Sequence, residues 1–85
     1  MATPELQRRT AEITRILAAN GWGVVAIRDE GAAITVTARK PLSAIRGGTV
    51  NDNLAALRFL VTQFRWEVID YQATPDHHRA DVTSL

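Results

Sequence analysis

The chain contains no cysteine, which excludes disulfides and thiolate metal sites. Charge of one sign is also lacking. Ten basic and nine acidic residues leave a formal +1, too little for a general polyanion binder, which carries a clear basic excess. Only one basic residue, Lys40, is a lysine; the rest are arginines, whose planar fork suits phosphate or carboxylate. No apolar run approaches the ~20 residues of a membrane span. The opening residues, Met1 to Arg9, lack the apolar core of a signal peptide. The expectation is a cytoplasmic protein without membrane contact. Catalytic motifs are missing too: there is no Walker loop, no GxSxG and no Ser/His/Asp arrangement. Glu67 and Asp70 are expected on opposite faces of one strand, so they make no dyad. Asp76, His77, His78 and Asp81 resemble a set of metal ligands, but adjacent histidines rarely converge on one ion. The reading is a non-enzyme with no cofactor and no metal.

What is present is a globular composition. About 46% of the 85 residues are hydrophobic and 22% charged, so the chain is one small folded domain rather than a disordered segment. Thr3-Pro4-Glu5 is a helix start, since Thr caps, Pro fits the first helical position and Glu suits the positive dipole end. Leu6, Ile13, Ile16 and Leu17 recur at helical spacing, and Asn20-Gly21 is a stop, giving a helix over about 4–19. Glu5 with Arg9 and Arg8 with Glu12 stand at i,i+4, which suits self-pairing.

Val24 to Ile27 is a β-branched run, Asp29-Glu30-Gly31 a turn signal, and Ile34 to Arg39 a strict alternation. Together these predict a β-hairpin. The first strand is apolar on both faces, which suggests a central or doubly covered position. Pro41 ends the second strand and opens a helical turn over Leu42–Arg46, which Gly47-Gly48 breaks. A second helix follows, with Val50, Leu54, Leu57, Leu60, Val61 and Phe64 on one stripe and Thr49 with Asp52 as a capping-box-like pair. Trp66 to Tyr71 reads as a third strand, and residues 74–85 as a loose polar tail.

The order helix, strand, strand, short helix, helix, strand predicts an α+β domain over residues 1–73. A crossover through the second helix makes the second and third strands parallel neighbours. The expected architecture is two layers: a three-stranded mixed sheet with helices on one face. The other face stays open, with Thr35, Thr37 and Arg39 pointing to it.

This order is similar to the type II KH fold. The run Leu54-Ala55-Ala56-Leu57-Arg58-Phe59-Leu60-Val61 resembles the KH segment of the Jag family of bacterial RNA-binding proteins. The family's GxxG loop would fall at Gly48-Thr49-Val50-Asn51, with Asn51 in place of the second glycine. The resemblance spans roughly residues 5–73. It implies a domain that holds single-stranded RNA, with the loop backbone close to phosphates. On that reading Gly47, Gly48, Thr49 and Asn51 supply the approach, and Arg39, Lys40 and Arg46 contact phosphates. Ile45 and Leu54 floor a groove for bases. Asp52 opposes an anion there. Gly47-Gly48 reads equally as a linker, and Thr49 with Asp52 as an ordinary cap. The alternative is a protein-interaction module, or a homodimer, on the same fold. Its contact would be the open sheet face or Phe59, which lies off the apolar stripe of the second helix.

Overall fold

In the computed structural model, residues 3–45 and 48–85 are described. Helix α1 runs Pro4–Ala19, with the Thr3 hydroxyl accepting from the Leu6 N–H at 3.1 Å. Its buried residues are Leu6, Thr10, Ile13 and Leu17, spaced four, three and four apart, which makes one apolar stripe. Gly21 then turns the chain at φ 87°, a region that L side chains disfavour. Strands β1 (Gly23–Asp29) and β2 (Ile34–Pro41) form the expected hairpin. A 3-10 turn over Leu42–Ala44 leads to α2 (Val50–Thr62), and β3 (Trp66–Ala73) and β4 (His77–Ser84) form a second hairpin.

The molecule is α+β, as the pattern of elements implied, but the sheet has four strands in the order β1-β2-β4-β3, every neighbouring pair antiparallel. The expected three-stranded mixed sheet, and with it the strand count of the type II KH order, is therefore corrected. The physical reason is β4. The segment read as a loose tail inserts between β2 and β3 and satisfies the backbone groups of both. Since β4 is antiparallel to each, β2 and β3 do run parallel, but as next-nearest neighbours rather than as a bonded pair. The first strand is likewise displaced. It is an edge strand, with Val25 and Ile27 more than half exposed.

Both helices lie on one face of the sheet. Their buried residues Leu6, Ile13, Leu17, Leu57 and Val61 join one cluster with Ile34, Val36, Ala38, Ala80, Val82 and Trp66. Strand residues facing this core alternate with residues facing away, which shows in the burial of β4, whereas β2 is buried on both faces from Ile34 to Ala38. The tail escaped notice because its inward positions are His78, Ala80, Val82 and Ser84, of which only Val82 is strongly apolar. The i,i+4 pairing expected on α1 is also replaced. Arg9 donates to the carbonyls of Arg65 (2.7 Å) and Leu85 (3.1 Å), with its guanidinium 5.8 Å from the centre of the Trp66 ring, while Glu5 faces Arg65 at 3.7 Å. Arg9 thus ties α1 to both ends of the β3-β4 hairpin. Arg65 itself sits at φ 62°, with its carbonyl held by Arg9 and by the Leu85 N–H.

Candidate functional site

Arg39 and Lys40, singled out together from the sequence, fall on opposite faces of β2. Strand alternation puts Arg39 on the bare side of the sheet, where it donates to Nδ1 of His77 at 3.1 Å. Lys40, its neighbour in sequence, pairs with His78 on the helix side, and its ammonium lies 6.0 Å from the centre of the Trp22 ring. Arg46 and Gly47 lie outside the described residues. Ile45 and Leu54 are half-buried, and Asn51 is exposed within the first turn of α2. Gly48, at φ 78°, leads into Thr49, the N-cap of α2.

That cap is fully closed on itself. The Thr49 N–H donates to Asp52 Oδ2 at 2.9 Å, and the Asp52 N–H donates to Thr49 Oγ1 at 3.1 Å. The backbone N–H of Thr49, and then its hydroxyl, hold the Asp52 carboxyl below its ordinary range. A carboxylate therefore occupies the helix N-terminus, and one of the amides a phosphate would need is already used. The capping-box expectation is met here, and the same contacts compete with an anion.

A groove of about 300 Å³ opens between the end of α1 and α2, with Trp22, Leu57 and Leu60 among its apolar walls and Lys40 at its rim. Three amides stand around it, each anchored to a helix backbone through its NH2: Asn20 to Ile16, Asn53 to Thr49, and Gln63 to Phe59. Phe59 borders this groove and is 74% exposed. Beneath lies an aromatic contact chain. Trp22 meets Tyr71 edge-on at 6.0 Å, and Tyr71 meets His78 edge-on at 5.4 Å. Burial pushes the Tyr71 phenol above its ordinary pKa, and its hydroxyl is hydrogen-bonded to His78 Nδ1 at 2.6 Å. Trp66, by contrast, is fully buried, and its indole N–H has no partner among the described residues.

The bare face of the sheet carries the most ordered chemistry. Across β1, β2, β4 and β3 the register sets Gly23, Arg39, Arg79 and Gln72 in one row. The next row is Ala26, Thr37, Asp81 and Asp70, and the one after it is Arg28, Thr35, Thr83 and Glu67. The Thr37 hydroxyl donates to Asp81, and the Thr35 hydroxyl to Glu30. These threonines are 2% exposed although no helix covers them, and each hydroxyl is bonded to a carboxylate. Glu67 and Asp70, expected on opposite faces, share this face because a bulge at Ile69 shifts the phase of β3. Sequence reasoning missed Arg79, Asp81 and Asp70 as members of a surface. Nothing short of the β4 register could have brought them together.

Among the described residues, no group of three or more His, Asp or Glu side chains is arranged to hold a metal ion. No helix among them is long and apolar enough to cross a membrane. No family model matches the chain, and comparison with curated proteins and with solved structures finds no match either.

Proposed function

We propose that the chain is a non-enzymatic protein-interaction module that self-associates. The observation that carries this reading is the bare sheet face. Four strands present it without a covering layer among the described residues, and it joins an edge strand that exposes Val25 and Ile27. An open edge offers unpaired backbone donors and acceptors, and proteins that leave one uncovered commonly use it or guard it. Here β1 carries no Lys or Pro as a guard, and its bulge at Val25 is the one irregularity.

The competing proposal, RNA binding through the Gly48–Asn51 loop, draws less support. The Thr49 amide is taken by Asp52, and Arg39 and Lys40 diverge to opposite faces of the sheet. What favours RNA is the cross-strand pair Arg39–Arg79, two arginines opposite one another on an open sheet. Light scattering combined with a gel shift against a random single-stranded RNA pool separates the two readings. The module reading predicts concentration-dependent self-association and no RNA shift. A monomer that shifts RNA in a salt-sensitive way rejects it.

A further inference from the structure

Like charges stand directly opposite one another twice on the bare face, and that is an arrangement an isolated sheet disfavours. Arg39 pairs with Arg79 across β2 and β4, and Asp81 pairs with Asp70 across β4 and β3. Such pairs destabilise a sheet rather than support it. Neither arginine has a carboxylate within ion-pair distance among the described residues; Arg39 leans instead on His77. Among the described residues, Asp81 receives the Thr37 hydroxyl and Asp70 the Gln72 amide at 3.3 Å. The two rows are adjacent, one basic and one acidic. The row beyond them carries Arg28 at one edge and Glu67 at the other, with Glu30 held over Thr35, so it adds one further negative charge.

We infer that this face is self-complementary and that its occupant is a second copy of the chain, packed sheet to sheet about a two-fold axis. The inference rests on the self-association reading above and names its surface. An axis running across the strands between the two rows exchanges them. Arg79 then faces the partner's Asp81, while Arg39 and Gln72 lie beside the partner's acid row. One symmetry operation thus gives opposite-charge neighbours to both like-charge pairs, as an isologous interface requires.

The size of the face sets the strength. Four strands at ~4.8 Å spacing and about seven residues at ~3.3 Å rise give roughly 450 Å² per copy, or about 900 Å² in all. That is the range of weak, transient interfaces, and this one depends on charge. The dimer should therefore be weak, and it should dissociate as the screening length falls from ~10 Å in 0.1 M salt to ~3 Å in 1 M salt.

The test uses two variants of the whole chain, one with an all-acidic face (Arg39→Asp with Arg79→Asp) and one with an all-basic face (Asp70→Arg with Asp81→Arg). Sedimentation equilibrium should find wild type dimerising at low salt, each variant monomeric alone, and the equimolar mixture dimeric. Because Asp81 accepts the Thr37 hydroxyl, two milder variants are run separately: Arg79→Glu, which sets an acid opposite the partner's Asp81, should be monomeric, and Asp70→Lys, which faces the partner's Gln72, should weaken the dimer less. These two positions are exposed, so both variants should keep the circular dichroism of wild type. Wild type that dimerises while the charge variants dimerise equally well overturns the face and leaves self-association standing. A monomeric wild type at low salt overturns both. Arginine variants that lose binding to added RNA, with aspartate variants unaffected, identify an anion-binding row and overturn the two-fold.

Discussion

Replacing Val82 with Ala tests whether residues 77–84 are a core strand rather than a tail. Val82 is 1% exposed and stands between Val36 of β2 and Val68 of β3. Losing two carbons costs about 1.6 kcal/mol in transfer energy, at ~0.8 kcal/mol per carbon. The cavity left in a sheet bonded on both sides cannot collapse fully and adds up to about 1 kcal/mol. The expected loss is about 2–2.5 kcal/mol, a large share of the stability of a small domain. In a chain this short it should lower Tm by roughly 8–20 °C. Urea unfolding followed by tryptophan emission reads it directly, since Trp66 is fully buried and Trp22 nearly so. Thr83→Ala, one residue along on the bare face, is the internal control and should cost under about 1 kcal/mol. A Val82→Ala loss no larger than that of Thr83→Ala would refute the strand.

Three further outcomes are expected. Tyr71→Phe strands Nδ1 of the buried His78 without its hydrogen-bond partner and should destabilise by about 1–3 kcal/mol, seen as a lower urea midpoint with an unchanged m-value. Thr49→Ala opens the α2 cap and should cost about 1 kcal/mol in the same assay. The Asp52 carboxyl is held below its ordinary value in the folded chain, so its contribution is present at neutral pH and fades as pH falls through the ordinary carboxylate range and below. Asp52→Asn should accordingly narrow its stability gap to wild type as the solution is acidified, and a gap that widens on acidification would contradict the cap.

Local chemistry carried much of the fold into the sequence. Thr3-Pro4 announces α1, and the turn at Asp29-Glu30-Gly31 announces the first hairpin, whose Gly31 N–H donates to Asp29 Oδ1 at 2.9 Å. The pairing of Thr49 with Asp52 announces α2. What stayed hidden was nonlocal. β4 has only one strong inward hydrophobe, because the central strand under two helices accommodates the small Ala80 and a hydrogen-bonded His78. Without β4 in the sheet, the opposed pairs Arg39–Arg79 and Asp70–Asp81 have no register in which to meet. The grouping of Arg39 with Lys40 failed for a simpler reason. Adjacent residues of a strand point to opposite faces, and proximity in sequence there means separation in space.

The central claim is that copies of this chain meet through the bare sheet face. The absence of native cysteine allows a single spin label to be placed there, at Glu67→Cys, outside the charged rows. Unlabelled protein carrying the spin label, mixed at low salt with isotope-labelled wild type, should broaden the amide signals of residues 35–41 and 77–83 of the wild-type copy, and 1 M salt should remove the effect. Broadening confined to β1, or to the groove around Phe59, would contradict the account.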